Sequence, residues 1–303
     1  TNGFVINGID SGFSVSHAGD INEDGIDDLI IGAPEADPNG NSGAGKSYVV
    51  FGGTNVGATG ILELSSLNGT SGFVINGINT YDGLGRSVSD AGDINNDGIN
   101  DLIIGAPEAD PNGNSGAGES YVVFGGTNVG ASGILELSSL NGANGFVING
   151  DTYDYSGGSV SHAGDINYDG IDDVIIGAPF AGAGESYDTG ASYVVFGGTN
   201  VGASGILELS SLNGANGFVI NGIDASDNSG ISVSNAGDIN DDGIDDLIIG
   251  TRLINVIDAY EFAAESYVVF GNALPQLDLN GSAAGINHTS TFTATPIPIV
   301  ESG

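Results

Sequence analysis

A sixteen-residue segment, GDINEDGIDDLIIGAP at 19–34, returns three more times with small changes. Its loop-opening aspartates, Asp20, Asp93, Asp165 and Asp238, stand 73, 72 and 73 residues apart. A repeat of that length is one supersecondary unit, which cannot bury its apolar face alone and must stack on its neighbours. The chain therefore folds as an array of similar units, and every other reading has to fit that frame.

The centre of each copy is a nine-residue acidic loop. In the first, Asp20, Asn22, Asp24 and Asp28 occupy positions 1, 3, 5 and 9, Gly25 occupies position 6, and Ile26 offers its carbonyl at position 7. The second has Asp93, Asn95, Asp97 and Asp101 with Ile99, and the third has Asp165, Asn167, Asp169 and Asp173 with Ile171. The fourth has Asp238, Asn240, Asp242 and Asp246 with Ile244. Calcium takes six to eight oxygen ligands at roughly 2.3–2.6 Å and tolerates irregular geometry, so alternate residues of a tight loop suit it. Glycine at position 6 lets the chain reverse around the ion at positive φ. The expectation is about four Ca2+ ions, one per unit.

An EF-hand loop opens in the same way but requires a bidentate Glu at position 12 and flanking helices. Position 12 here is Ile31, Ile104, Ile176 and Ile249, inside apolar runs such as DLIIGAP that read as buried strands. The EF-hand is excluded. Asp, Asn and Gly also make ordinary turns, but four copies that keep every ligand position favour a cage.

Composition supports an all-β fold. The 303 residues are 40% apolar with a mean hydropathy of +0.11, and the 54 glycines lie between short β-branched runs, as many tight turns require. Three basic residues, Lys46, Arg86 and Arg252, face 39 acidic ones for a formal charge of −36. Nucleic acid and anionic membrane are poor partners for such a surface. Four dications would add eight positive charges and still leave −28. Cysteine is absent, which removes disulfide and thiol chemistry. There is no Met and the chain opens inside a repeat at TNGFVING, so a processed product or a piece of a longer protein is expected, with no signal peptide or spanning segment in view.

Each unit offers four strands: in the first, 13–19, 28–34, 47–52 and, after a long connection containing ILELSSLNG, 72–77. Four short strands at a period above about 40 residues predict a β-propeller of four-stranded antiparallel blades. The repeats run over about 9–77, 78–150, 151–222 and 223–272, the last together with 3–8, so the propeller covers 1–272. Residues 273–303 read as a C-terminal β tail or the start of a following domain.

These units resemble FG-GAP repeats, the blades of the integrin α-subunit propeller and of many bacterial surface proteins. The motifs are Phe51-Gly52 with Gly32-Ala33-Pro34, Phe124-Gly125 with Gly105-Ala106-Pro107, and Phe196-Gly197 with Gly177-Ala178-Pro179. The fourth unit keeps Phe270-Gly271 but has Gly250-Thr251-Arg252. The resemblance implies an extracellular or cell-surface, integrin-like propeller with Ca2+ held at loop positions 1, 3, 5, 7 and 9. Four blades are fewer than the seven usual in the family. Residues 3–8, GFVING, repeat the fourth strand of a unit and are expected to close the ring by completing the last blade, or to pair with a neighbouring molecule.

The calcium hairpins and the ILELSSL connection are expected on one face of the ring. The opposite face collects Glu35, Asp37, Asn39, Asn41, Tyr81, Asp82, Glu108, Asp110, Asn112, Asn114, Tyr153, Asp154, Tyr155, Tyr187, Asp188, Tyr260 and Glu261. Such tips bind sugars or cations, or are simply solvated turns. His17 and His162 share a repeat position held by Asp90 and Asn235 elsewhere, and His288 lies in the tail, so no catalytic constellation assembles. Zinc is disfavoured by a hard-oxygen composition. The sequons at Asn68, Asn280 and Asn287 read as chance in so Asn- and Gly-rich a chain. The function expected is a non-enzymatic calcium-binding module for adhesion or assembly of a surface structure or filament. Its partners would be an extracellular protein, a glycan or copies of itself. The alternative is a lectin-like domain using the opposite face.

Overall fold

The structure is a computed structural model that describes residues 3–182, 189–223, 226–252, 254–255, 262–263 and 265–271. Tyr187, Asp188, Tyr260, Glu261, His288, the sequons at Asn280 and Asn287, and the 273–303 tail lie outside the described residues. Among the described residues no helix is long and apolar enough to cross a membrane.

Each unit folds as an antiparallel sheet in chain order. In blade one Ser14–Gly19 pairs with Asp28–Ala33, that strand with Lys46–Val50, and that in turn with Gly72–Asn76. Blades two and three repeat the register with Ser87–Gly92, Asp101–Ala106, Glu119–Val123 and Gly145–Asn149, and with Ser159–Gly164, Asp173–Ala178, Ala191–Val195 and Gly217–Asn221. Blade four has Ser232–Gly237, Asp246–Gly250 and Ser266–Val269. The all-β architecture of repeated antiparallel blades is therefore the one read from the sequence. The second strands of the two middle blades are buried along their whole length, which is why DLIIGA and DVIIGA are apolar without alternation.

The core lies between blades rather than within them. Ile30, Val49 and Phe73 of blade one pack with Val88, Leu102, Ile104 and Tyr121 of blade two. The same layer recurs between blades two and three and between three and four. The first strands are also stitched across each seam. The N–H groups of Val88, Val160 and Val233 donate to the hydroxyls of Ser14, Ser87 and Ser159 at 3.1, 3.0 and 3.0 Å. Val88 is 5% exposed, whereas its counterpart Val15 in the first blade is 68% exposed.

Two expectations are corrected. The N-terminal strand, Val5–Asn7, does not complete the fourth blade; it pairs in parallel with Ile61–Glu63. This is the usual relation here, because Gly72–Asn76 pairs likewise with Ile134–Glu136, and Gly145–Asn149 with Ile206–Glu208. The ILE segment is thus a fifth strand rather than a connection on one face. It runs along the free backbone edge of the preceding unit's GFVIN strand, where its N–H and C=O groups find partners.

The Gly of each GAP motif marks where blades touch backbone to backbone. A Cβ on Gly32, Gly105 or Gly177 would overlap the carbonyl oxygen of Gly85, Gly157 or Gly230 in the next blade. On Gly250 its nearest neighbour would be Ser232 Cβ at 3.5 Å. Gly105→Ala is expected to lower stability by about 1–3 kcal/mol, as overpacking does. Gly250→Ala should stay within about 0.5 kcal/mol. Urea midpoints of the two variants check this.

Candidate metal centre

Each acidic loop joins the first and second strands of its blade. A register shift just before it, between His17 and Gly19 in blade one, sets Gly19 opposite Asp28. The same shift precedes the other three loops. The loop then closes on its own backbone. Asp20 accepts the N–H groups of Asp24 at 2.9 Å and Gly25 at 2.7 Å, and Asp24 accepts that of Ile26 at 3.0 Å. Asp93, Asp165 and Asp238 accept the equivalent pairs. Glu23, Asn96, Tyr168 and Asp241 at position 4 are all left-handed, with φ between 59° and 61°. Four different residues in one strained conformation show that the loop geometry, rather than residue preference, sets it.

The position-9 aspartates stand apart from the exposed ones. Asp28, Asp101, Asp173 and Asp246 have no solvent exposure. One oxygen of each takes the N–H of the glycine after the FG phenylalanine: Gly52, Gly125, Gly197 and Gly271, at 2.7–2.9 Å. The other oxygen of Asp28, Asp173 and Asp246 takes the N–H of loop position 2 at 3.2, 3.2 and 2.9 Å. Burial pushes the Asp28 carboxyl up to about 6 and those of Asp101 and Asp173 up to about 8. The neighbouring loop carboxylates push the same way against these backbone donors.

The sequence-derived ligands are therefore grouped loop by loop, but their carboxylates are turned to backbone donors. Among the described residues no three His, Cys, Asp or Glu side chains converge as a ready metal cluster. The donor set nevertheless fits a hard cation. All its atoms are oxygens, and in the second loop Asn95 Oδ1 and Asp101 Oδ2 are buried and accept no hydrogen bond.

The residues matched to a family model fall on these blades. The model described as FG-GAP repeat covers residues 11–50, 85–123 and 156–195. The chain carries three FG-GAP repeats. The fourth unit lies outside the matched residues yet forms the same loop and hairpin register. Similar proteins include integrin alpha pat-2 of Caenorhabditis elegans, 30% identical over 79% of this chain and 18% of that protein. Integrin alpha-8 of Mus musculus is 30% identical over 56% and 14%. Phosphatidylinositol-glycan-specific phospholipase D of Bos taurus is 32% identical over 54% and 18%. The FG-GAP chain thus spans less than a fifth of the length of these relatives. Within the repeat, the FG phenylalanine packs on the GFVIN phenylalanine at 5.7–5.8 Å between ring centres, as in Phe51 with Phe73 and Phe196 with Phe218.

On the opposite face many side chains expected at solvated tips are engaged. Asp37 and Asp110 accept the N–H of Gly43 and Gly116 at 2.7 and 2.6 Å, and Asn41 donates to the Ile78 carbonyl at 2.8 Å. Asp82 and Asp154 are buried, and Asp154 accepts the Tyr193 hydroxyl at 3.1 Å. Tyr81 and Tyr153 remain exposed, held at φ 70° and 67°. His17 and His162 sit at seams, 3.5 Å from Asp90 and 3.0 Å from Asp172.

The raised carboxyls fix a pH dependence for the metal-free protein. Asp28, Asp101 and Asp173 hold protons in the folded state at pH values where the unfolded chain, with ordinary aspartates, has lost them. Their contribution is present below about pH 4 and is lost as pH rises through about 6 to 8. In chelator, the urea midpoint should fall between pH 5 and pH 8.5. Added calcium, which needs ionised ligands, should remove or reverse that fall.

Proposed function

We propose that the chain is a calcium-loaded, non-enzymatic FG-GAP module of an extracellular or cell-surface protein, serving adhesion or assembly. The ligands are the residues at positions 1, 3, 5, 7 and 9 of the four loops. The observation that carries the metal reading is the fully buried aspartate at position 9, whose Oδ2 in loop two, like Asn95 Oδ1 in the same loop, is buried without a donor. A buried carboxylate is stable when neutralised by a proton or paired with a cation. Bound calcium would supply the charge that these oxygens lack and lock the hairpin between the first two strands. The integrin α relatives favour an adhesion role, and the repeats are shared with a phospholipase relative that is matched over a similar share of its length.

A calcium-dependent melt tests the metal reading. Each site is expected to stabilise the fold by about 2.7 kcal/mol at a hundredfold excess of ion over Kd, an effect that sodium chloride does not reproduce. Asp101→Asn should make the chelated protein more stable at pH 8, because it removes a buried ionising group, while reducing the calcium-induced shift. Loss of stability in chelator fully restored by sodium chloride alone would mean that the loops are turns carrying diffuse charge.

Assembly between copies is the version of the adhesion role with structural support. The first strand of blade one exposes Val15, whose counterparts Val88, Val160 and Val233 are each covered by a preceding blade. Light scattering should then show concentration-dependent oligomers, and a monomer at every concentration would remove this version. The glycan-binding alternative keeps Tyr81 and Tyr153 but loses the side chains tied up within the loops.

A further inference from the structure

The acidic loops touch one another across the blade seams through a residue that the ligand pattern leaves idle. The N–H of Asp93, at position 1 of loop two, donates to Oδ2 of Asp172, at position 8 of loop three, at 2.8 Å. The N–H of Asp165 donates to Oδ2 of Asp245 at 3.1 Å, and that of Asp20 to Oδ1 of Asn100 at 3.4 Å. One residue further on, the carbonyls of Ile21 and Ile94 accept the N–H groups of Gly126 and Gly198, each at 2.8 Å. The N–H groups of the preceding glycines, Gly125 and Gly197, already hold Asp101 and Asp173 of their own loops. Each Gly-Gly pair therefore grips its own loop with one N–H and the preceding loop with the next.

The fold reserves space for the position-8 side chain. A Cβ on Gly19, Gly92 or Gly164 would overlap Asn100, Asp172 or Asp245, whereas one on Gly237, in the last unit, meets nothing within 4 Å. Asp27, the position-8 residue of loop one, has no loop before it in this chain and is exposed. The contact is thus a recurring feature of each seam and not a property of the loop that supplies it.

We propose that Asn100, Asp172 and Asp245 are positioning residues for the metal site of the preceding blade, so that ion binding is coupled from loop to loop. This rests on the calcium reading above. Holding the position-1 N–H fixes the peptide from which the first ligand hangs, and a loop already ordered loses less conformational entropy when the ion arrives. By linkage, an ion that orders one loop also orders its position-8 residue and raises affinity next door.

Tyr168, at position 4 of loop three, is the only tyrosine in any of the four loops, so terbium emission sensitised through it reports that loop. The share lost in Tyr168→Phe defines the signal. Asp245→Ala, a change in loop four, should weaken terbium binding at loop three about tenfold, the effect of one lost hydrogen bond to a charged group. Asp245→Asn keeps an acceptor and should retain most of the affinity, which separates the contact from the lost charge. Asp27→Ala should leave the loop-three signal unchanged. An independent arm moves the reporter to loop two with Asn96→Tyr and removes Asp172. Wild-type affinity at the reporter loop in both Asp245→Ala and Asp172→Ala would overturn the coupling while leaving the metal reading intact. No terbium or calcium uptake by the unaltered chain would overturn the metal reading and the coupling with it.

Discussion

The aspartate at loop position 9 is the contact on which each blade depends. Asp28 ties the start of its loop through Ile21, begins the second strand, and receives the end of the third strand through Gly52. Three segments distant in sequence meet on one carboxylate, and it is fully buried. Its charge is costly there unless matched, so the same atom that organises the hairpin sets the requirement for a proton or a cation. The contact that fixes the hairpin therefore also carries the electrostatic demand of the loop.

The family motif takes on a physical meaning in this light. The glycine of GAP is where one blade's second strand meets the backbone of the next, and the glycine after the FG phenylalanine donates to the buried aspartate. The FG phenylalanine packs at a tilt against the GFVIN ring of its own blade. These residues stand outside the proposed ligand positions; they bring strands close enough that the loop lies at a seam. The fourth unit, with Gly250-Thr251-Arg252, keeps the loop and the hydrogen bond from Gly271 while the packing demand at Gly250 disappears. In the fourth unit, loop and packing motif are thus separable.

Much of the fold was legible because repetition multiplies weak signals. The four strands of the first unit fall within one or two residues of where the apolar runs place them, and the next two units repeat them. The loops themselves could be read because each is local: Asp20, Asp93, Asp165 and Asp238 each close on the backbone four and five residues on. What escaped was non-local. Ile61–Glu63 is only three residues long, and its partner, Val5–Asn7, belongs to another repeat copy. Asp82 and Asp154 look like solvated loop carboxylates, but they are buried and accept hydrogen bonds from Asn79 and Tyr193. Position 8 carried a signal that was available, since it is Asp or Asn in all four loops although no ligand role needs it.

The net charge of −36 follows from the same arrangement. Among the described residues the ion pairs are His17 with Asp90 and His162 with Asp172, so the loop carboxylates have no lysine or arginine to answer them. Compensation has to come from solution. Diffuse salt screens repulsion between exposed carboxylates over about 8–10 Å at physiological ionic strength. It cannot reach Asp101, whose second oxygen is buried without a donor. A site-bound ion, as proposed above, would meet both needs at once, since it would reach the buried oxygen and offset two negative charges in each loop. Under the coupling proposed above, the seam contacts would make those neutralisations mutually dependent, so that each ion bound would favour the next.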